Sequence, residues 1–349
     1  MENISKYMIR ADELVLDALK YLNNFNKTDA LTLFVIREDG KMIGSLTDGD
    51  IRRKLVEKHS LSEPVANIMH KEFCFLRKND INVKNIRFYK DKGISLIPVL
   101  DQFGCIDDII NLKMYKSYLP IDVVLMAGGK GERLRPLTEK IPKPLLKVGN
   151  KAIIDYNIEK LISYGVKHIS VTVNYLKEQI ETHFSQKTKG VQVKCVREPK
   201  YLGTIGSVNF VDAFYNDAIL VMNSDLFTNI DYEDFYIHFV EHDADMSIAA
   251  VPYSVSIPYG VLDLEGRSVR GIHEKPTYNY YANAGIYLIK RDLLQLIPED
   301  TFFNATDLIE LLIHYKKKVV RFPIAGYWID IGKHEDYRKA EELVKHLYK

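Results

Sequence analysis

Apolar and polar positions follow the same order twice in the first third of the chain. Apolar residues three and four apart predict one helix over 14–22 and a second over 81–89. Each helix precedes an apolar strand, a polar turn with a glycine and a second apolar stretch, at 34–46 and 98–110. Two such copies can pack face to face around one core.

Strands and helices alternate from Ile121 onward. The junction lies at 116–120, where Pro120 is predicted to stop a preceding helix. Strands are predicted at 121–126, 168–174, 191–196, 218–222 and 246–251, and helices at 152–164 and 207–214. This order predicts an α/β fold with a Rossmann-like domain around a mixed central sheet, whose ligands bind at the carboxyl ends of the strands. A smaller α+β domain at 1–118 precedes it, and the larger domain covers 119–349.

Composition and charge narrow the class of protein. The chain has 48 basic and 47 acidic residues, a net charge of +1, and three widely spaced cysteines. Near-neutrality argues against a nucleic-acid or anionic-membrane binder. Without an apolar leader, a spanning segment or a disulfide framework, we expect a cytoplasmic protein with no membrane partner. One stretch departs from the average, because 130–147 has six basic residues and two acidic ones.

That basic stretch belongs to the strongest motif, A-G-G-K-G-E-R-L-R-P-L-T-E-K-I-P-K-P-L-L at 127–146. Gly128, Gly129 and Gly131 follow a predicted buried strand and let backbone N–H groups approach a phosphate. Arg133 and Lys143 add positive charge. A dinucleotide fingerprint needs a third glycine where Leu134 stands, and a P-loop needs Gly-Lys-Ser/Thr. A triphosphate site is favoured over a purely structural turn.

The motif G-G-x-G-x-R-L-x-P-L-T followed by P-K-P-L resembles the nucleotidyltransferase superfamily that makes nucleotide sugars. Its members transfer a nucleoside monophosphate from a nucleoside triphosphate to a sugar 1-phosphate and release pyrophosphate. The resemblance covers about 121–349. It implies that the glycine loop wraps the triphosphate, that Arg133 contacts the leaving pyrophosphate and that Lys143 contacts the reacting phosphates.

Two aspartates follow predicted strands, Asp225 in V-M-N-S-D-L and Asp330 in G-Y-W-I-D-I-G. A single aspartate at a strand end is commonly a turn or helix cap. Mg²⁺, however, prefers one or two carboxylates together with phosphate oxygens and water. The pair is similar to the metal-binding aspartates of the superfamily, so we expect Asp225 and Asp330 to hold Mg²⁺.

Further segments resemble the substrate motifs of the superfamily. E-P-K-Y-L-G-T-I-G-S at 198–207 is similar to its base-binding segment, which implies nucleotide contacts from Glu198, Gly203 and Thr204. The sugar-phosphate motifs imply that Gly260, Glu274 and Asn283 contact sugar hydroxyls. They also imply that Lys275 holds the sugar phosphate. A loop leading into a helix and a solvated turn are the structural alternatives for these two groups.

The first third resembles a pair of cystathionine-β-synthase (CBS) domains through G-S-L-T-D-G-D-I-R-R at 44–53. In that family the T-x-x-D spacing, here Thr47 and Asp50, often binds the ribose of an adenine nucleotide. The second copy has Asn111 and Met114 at those two positions, so at most one ribose site is intact. An adenine or guanine nucleotide is therefore a candidate ligand. Asp50 acting only as a helix N-cap, or a domain that only mediates assembly, is the alternative.

The resemblance leads to an Mg²⁺-dependent enzyme that takes a nucleoside triphosphate and a sugar 1-phosphate. The L-G-T-x-G segment looks most like guanylyltransferases, which favours GTP. The CBS-plus-transferase arrangement looks like the glucosamine-1-phosphate guanylyltransferases of legionaminic acid synthesis. Mannose 1-phosphate or another sugar, with UTP, dTTP or CTP, stays open, as does a non-catalytic nucleotide sensor on the same fold. We expect a homo-oligomer.

Overall fold

The computed structural model describes residues 4–26 and 29–347 of the chain. They divide into two compact units. The smaller unit contains the described residues up to Leu119 together with Ser163–Gly165, and the larger unit contains Pro120–Ile162 and the described residues from Val166 on. Within the described ranges, every helix is too short or too polar to cross a membrane.

The smaller unit has the repeated order that the sequence predicted. Each copy contains a strand, a helix and an antiparallel hairpin, in two three-stranded sheets of order β1-β2-β3 and β4-β5-β6. One apolar cluster joins Phe34 and Met42 of the first copy to Leu96 and Leu100 of the second, so the copies share a core. The elements are β1 Met8–Arg10, α1 Val15–Asn23, β2 Thr32–Ile36, β3 Met42–Thr47, α2 Asp48–Val56, β4 Leu76–Arg77, α3 Val83–Asp91, β5 Leu96–Leu100 and β6 Ile106–Asn111.

The larger unit is built on a seven-stranded sheet of order β11-β10-β7-β12-β17-β14-β18. Within this sheet β17 alone runs against the other strands, which confirms the predicted mixed sheet. The strands of the larger unit, inside and outside this sheet, are β7 Ile121–Ala127, β8 Lys147–Val148, β9 Lys151–Ala152, β10 His168–Val173, β11 Val193–Arg197, β12 Ala218–Asn223, β13 Leu226–Thr228, β14 Met246–Ser256, β15 Val261–Glu265, β16 Ser268–His273, β17 Thr277–Lys290, β18 Val319–Pro323 and β19 Trp328–Asp330. Its helices are α4 Ile153–Ser163, α5 Lys177–His183, α6 Tyr232–Glu241, α7 Ala305–His314 and α8 His334–Leu347.

Two predicted helices are wrong. The segment predicted as a helix at 207–214 forms a single 3₁₀ turn, Gly206–Phe210, because its β-branched valines and Asn209 have low helix propensity. The Asn209 side chain instead donates a hydrogen bond of 2.8 Å to the carbonyl of Ile297. Pro120 follows a turn and irregular chain rather than a helix, since about six residues are too few to nucleate one.

The sheet positions the loops that follow its strands. Helix α4 buries Ile154, Ile158 and Leu161 on one face, as its spacing of three and four residues predicts. A cluster of fully buried side chains on β7, β12 and β17 packs against Leu308 and Leu312 of α7. With both faces of the strands buried, the polar segments after β7, β10 and β12 meet at one edge of the sheet.

Candidate active site

A cavity of about 640 Å³ opens at the carboxyl ends of β7, β10 and β12. That volume lies within the usual range for small-molecule sites. The glycine loop, the E-P-K-Y-L-G-T segment and both predicted metal ligands line it: Gly128, Gly129, Gly131, Arg133, Lys143, Glu198, Gly203, Thr204, Asp225 and Asp330. The structure therefore brings ten of the predicted residues to one place.

The glycine loop begins where β7 ends at Ala127. A Cβ on Gly128 would overlap the carboxylate of Glu198, so a side chain there would have to displace that carboxylate. Gly131 has a φ of +63°, and the Thr138 hydroxyl donates a hydrogen bond of 2.8 Å to its carbonyl. Glycine adopts this left-handed conformation without steric penalty. The loop is held in shape by its own residues, and its backbone faces the cavity.

Two cations stand on short 3₁₀ turns of the same segment. Arg133, in Glu132–Leu134, is exposed and lies against Gly332, where a Cβ would come within 3.2 Å of its guanidinium. Lys143 begins Lys143–Leu145, preceded by Pro142, and is buried. Its Nζ pairs with an Asp225 carboxylate oxygen and lies 3.9 Å from Oδ1 of Asp330. Arg133 is thus an exposed cation at the cavity, whereas Lys143 is held between two carboxylates.

Asp225 and Asp330 meet because β13 pairs antiparallel with β19, with Leu226 opposite Asp330. The backbone N–H of Ile331 also donates to the carbonyl of Asp225 at 3.2 Å. Burial, and then the negative charge of Asp225, raise the pKa of Asp330, while Lys143 and Arg133 pull it down. Two carboxylates this close favour a shared cation.

The residues present fit a Mg²⁺ ion that also takes substrate oxygens. Oδ1 of Asp225 is buried without a hydrogen-bond partner, which leaves one carboxylate oxygen for a ligand. Among residues 4–26 and 29–347, no three His, Cys, Asp or Glu side chains form a metal cluster. Mg²⁺ does not need one, since it is commonly held by one or two carboxylates plus phosphate oxygens and water.

The segment at 198–207 forms another wall of the cavity. Glu198 is buried, and burial raises the pKa of its carboxyl while Ser207 and the backbone of Leu202 pull it the other way. Gly203 has a φ of +82°, and a Cβ there would come within 2.6 Å of the Phe303 carbonyl. The Thr204 hydroxyl accepts a hydrogen bond of 2.9 Å from the N–H of Ala305, so it also anchors the start of α7.

Sequence reasoning did not assign every residue that lines the cavity. The unassigned ones include Asn174, Tyr201, Asn223 and Ser224. Ser224 donates a hydrogen bond of 2.7 Å to the carbonyl of Met126, which ties the loop before Asp225 to β7. Tyr201 is half exposed at the cavity and offers a ring face. Each of these four residues follows or ends a predicted strand or lies inside a quoted motif. That position in the sequence is the signal that could have identified them as cavity residues.

The predicted sugar-phosphate residues are elsewhere. Gly260, Glu274 and Lys275 are exposed, cluster at the base of the β15–β16 hairpin and do not line the cavity. Asn283 is half-buried on β17, where its amide donates to the Tyr287 hydroxyl at 2.9 Å. Their sugar-binding role stays a prediction, since none of these four residues lines the cavity.

In the smaller unit, Thr47 and Asp50 make contacts with each other. Thr47, not Asp50, is the N-cap of α2, and Asp50 closes a capping box by accepting from the Thr47 backbone at 2.8 Å. Arg53 pairs with the other Asp50 oxygen at 2.6 Å. Asp50 and Arg53 also line a surface cavity of about 470 Å³. The residue pair therefore has a structural role whether or not a nucleotide binds.

The larger unit is thus an α/β domain with a glycine loop, two cations and a carboxylate pair at the carboxyl edge of its sheet. The family model described as "Nucleotidyl transferase" matches residues 122–346, so the chain belongs to that family. The CBS domain model matches residues 4–57, which include Thr47 and Asp50.

Similar curated proteins carry related names. The chain is 31% identical over 225 residues to the mannose-1-phosphate guanyltransferase of Pichia angusta, covering 61% of each protein. It is 26% identical to the D-glycero-alpha-D-manno-heptose 1-phosphate guanylyltransferase of Aneurinibacillus thermoaerophilus, over 65% of this chain and 99% of that protein. The bifunctional protein GlmU of Methanocaldococcus jannaschii is 31% identical over 64% of this chain and 54% of its own length. The chain thus spans about three-fifths of the length of its mannose-1-phosphate relatives.

Among solved structures, HddC from Yersinia pseudotuberculosis superposes with a TM-score of 0.51 at 29% identity, covering 64% of this chain and 98% of that one. The structure of a "Putative Glucose-1-Phosphate Thymidylyltransferase" from Bacillus anthracis superposes with a TM-score of 0.53 at 23% identity, over 66% of this chain and 97% of that one. Both confirm the predicted nucleotidyltransferase fold.

Proposed function

We propose that this protein transfers a nucleoside monophosphate from a nucleoside triphosphate to a sugar 1-phosphate and releases pyrophosphate. The observation that carries the proposal is the place of Lys143. It pairs with Asp225 and approaches Asp330 in the cavity that the glycine loop also lines. That combination brings backbone donors, a cation and two carboxylates to one polyanion site, as phosphoryl transfer requires.

The chemistry is positioning and charge. A phosphate oxygen of the sugar 1-phosphate is already anionic, so its attack on the α-phosphorus needs no general base. The bond from the α-phosphorus to the oxygen bridging the β-phosphorus breaks, and pyrophosphate leaves with the electron pair. Arg133 and the backbone N–H groups of 128–131 stabilise the negative charge that develops on the leaving pyrophosphate. Lys143 holds the reacting phosphate in place.

Asp225 and Asp330 are the residues that would hold Mg²⁺. When bound, the ion neutralises the negative charge of the phosphates. The proposal rests on the buried, unpartnered oxygen of Asp225 and on the closeness of its carboxylate to that of Asp330.

GTP is the proposed nucleotide and glucosamine 1-phosphate, as used in legionaminic acid synthesis, the proposed sugar. The guanylyltransferase names of the mannose- and heptose-1-phosphate relatives support GTP. The assay is pyrophosphate release with GTP, UTP, dTTP and CTP, each against glucosamine, mannose and glucose 1-phosphates. Release with GTP and glucosamine 1-phosphate supports the full proposal. Release with another pair corrects the substrates alone, and no release with any pair supports a nucleotide sensor instead.

Asp225→Asn tests the site itself. It removes one negative charge from the carboxylate pair, and we expect kcat of the folded protein to fall by roughly 10²–10³. The melting temperature should fall as well, because the buried Lys143 loses its charged partner. Asp231→Asn is the matched control, because Asp231 caps α6 through the N–H groups of Glu233 and Asp234 and does not line the cavity. Near-normal turnover in Asp225→Asn contradicts the assignment.

A second proposal concerns the smaller unit: an adenine or guanine nucleotide binds at the cavity that Asp50 and Arg53 line and alters activity. Lys54 and Lys71 also line the cavity and are cations that suit a phosphate group, although Lys54 pairs with Glu57 at 2.7 Å and Glu72 adds a further carboxylate there.

A further inference from the structure

Among the described residues that line the active-site cavity, Tyr201 alone has an aromatic side chain. Its exposed fraction is 51%, although the next two residues, Leu202 and Gly203, are buried. An aromatic ring is a large apolar surface with a polar tip, and a ring left half in water at a cavity is available to a ligand. The reaction described above makes no use of this ring.

The charges of the cavity show which part of a nucleotide meets Tyr201. Among the described lining residues, the cations all belong to the segment 130–143, beside the carboxylates of Asp225 and Asp330. The wall at 198–204 adds the carboxyl group of Glu198 and no cation. A triphosphate is therefore held at the cations, which leaves the base and the ribose for the wall with Tyr201.

The backbone on both sides of Tyr201 is tied to a second segment of the chain. Before it, Lys200 pairs with Asp300 at 3.1 Å. After it, the carbonyl of Leu202 accepts a hydrogen bond of 3.0 Å from the N–H of Phe303. A ring on a backbone that is already ordered loses less conformational entropy when a ligand packs on it.

The same second segment places an aromatic ring against Tyr201. The ring centroids of Tyr201 and Phe302 lie 5.9 Å apart with their planes at 61°, a T-shaped contact. In such a pair at most one face of either ring is covered, so Tyr201 keeps a free face. Phe302 is itself 54% exposed and does not line the cavity. Phe302 therefore supports the Tyr201 ring from outside the cavity.

We propose that the free face of Tyr201 stacks on the base of the bound nucleoside triphosphate, and that Phe302 positions the ring for this contact. A purine has a larger ring system than a pyrimidine, so the stack favours GTP over UTP. The identity of the ligand rests on the proposed function. The stack selects a base by the area of its rings, separately from any hydrogen bond to the edge of the base.

Nucleotide binding without turnover tests the stack. GTP and UTP are titrated by calorimetry with Mg²⁺ and without a sugar 1-phosphate, so that no transfer occurs. Every titrated protein carries Asp50→Ala, which removes the carboxylate proposed to bind a nucleotide in the smaller unit. We expect Tyr201→Leu to raise the Kd for GTP roughly tenfold and the Kd for UTP about threefold. Tyr201→Phe keeps the ring and should bind both nucleotides as the parent does.

Three results of the titrations overturn the proposal. The first is a Kd for GTP that Tyr201→Leu leaves unchanged, and the second is an equal loss for GTP and UTP. The third is a loss in Tyr201→Phe as large as in Tyr201→Leu, because the hydroxyl and not the ring would then make the contact.

Tyr215→Leu is the matched control. Tyr215 belongs to the larger unit, is 59% exposed and does not line the cavity. We expect this variant to bind GTP and UTP as the parent does. A loss of GTP binding as large as that of Tyr201→Leu would contradict a contact specific to Tyr201.

Phe302→Ala tests the positioning role. Without its neighbour the Tyr201 ring is less ordered, and we expect the preference for GTP over UTP to fall about threefold. Phe302→Tyr keeps an aromatic neighbour and should restore the preference, which a general loss of stability would not explain. An unchanged preference in Phe302→Ala overturns the positioning role.

The outcomes also separate this inference from the proposed function. If the wild type releases no pyrophosphate with any substrate pair but binds GTP through the Tyr201 ring, the proposed function fails and the stack stands. If the wild type releases pyrophosphate and Tyr201→Leu raises only the KM for the sugar 1-phosphate, the ring contacts the sugar. The stack is then wrong while the proposed function stands.

Discussion

At the scale of single residues, the glycine loop and Glu198 depend on each other. The carboxylate of Glu198 occupies the space that a side chain at Gly128 would need, while no heavy atom lies within 4 Å of a Cβ built on Gly129. The two adjacent glycines of this motif are therefore needed for different reasons. Gly128 is required by packing, and Gly129 keeps space open in the cavity that it lines.

Alanine substitutions separate these two roles. Gly128→Ala forces the buried Glu198 carboxylate to move, and we expect a loss of about 1–3 kcal/mol of stability from overpacking. Gly129→Ala meets open space and changes stability by less than about 0.5 kcal/mol. Urea unfolding of both variants measures the difference. Equal stabilities would show that Glu198 does not occupy the space beside Gly128.

Glu198 also predicts a pH dependence. Burial raises the pKa of its carboxyl in the folded state, so ionisation at neutral pH opposes folding. Compared with a glutamate whose pKa is unshifted, Glu198 stabilises the folded state at pH values below the pKa that its carboxyl has in the unfolded chain. That stabilisation is lost as the pH rises through the pKa that the carboxyl has in the folded protein. Glu198→Gln should therefore raise the melting temperature at pH 7 and have little effect near pH 4.

Glu181→Gln is the control for that measurement. Arg197 pairs with Glu181 at 2.6 Å and lowers the pKa of its carboxyl, so the charged form favours folding there. This substitution should give no stabilisation at pH 7. A melting temperature unchanged or lowered by Glu198→Gln at neutral pH would contradict the buried-charge interpretation.

At the scale of secondary-structure elements, helix capping accounts for residues that a sequence motif would assign to ligand binding. Thr47 and Asp50 form a capping box at α2, and Asn82 caps α3 by accepting from the N–H of Asn85 at 2.9 Å. Helices α2 and α3 lie at different positions of the repeat. Of the two, only α2 contributes residues to the surface cavity of about 470 Å³. A cap and a ligand contact can therefore be separated by experiment.

Nucleotide-induced shifts in melting temperature make that separation. Asp50→Ala and Asn82→Ala should each cost about 1 kcal/mol, because each weakens one cap. With AMP, ATP, GMP or GTP added, we expect an upward shift for the wild type and Asn82→Ala and none for Asp50→Ala. An unchanged shift in Asp50→Ala would leave Asp50 with a capping role only.

At the scale of the whole molecule, the chain has one tryptophan, Trp328, and it lies in the larger unit. Its indole N–H donates a hydrogen bond of 2.9 Å to the carbonyl of Ala284, joining β19 to β17. The hydrogen bond positions the strand that ends at Asp330. Tryptophan fluorescence therefore reports on the larger unit alone.

We predict that the domains 1–118 and 119–349 unfold as separate cooperative units. Fluorescence of Trp328 should then follow one urea transition, while far-UV circular dichroism follows two. Coincident curves from the two probes would indicate a single cooperative unit and contradict the predicted boundary.

Sequence alone determined the class of fold, the repeat in the first third and the ten residues that meet in the cavity. Apolar spacing predicts the strands and helices, and glycines and strand-end aspartates mark the carboxyl edge of a sheet. Glu198, Gly203 and Thr204, and the pairing of the two aspartates, came instead from the resemblance to the nucleotidyltransferase superfamily. The predicted helix at 207–214 was wrong because apolar spacing does not distinguish a regular helix from a buried 3₁₀ turn.

The tertiary structure decided which distant segments meet. Pairing of β13 with β19 brings Asp225 to Asp330 across about a hundred residues of chain. The burial of Lys143 between them, and of Glu198 under Gly128, depends on the same packing. The exposed position of Gly260, Glu274 and Lys275 beside the β15–β16 hairpin was likewise invisible in the sequence. Long-range pairing is set by the burial of whole faces, and no local spacing records which faces are buried together.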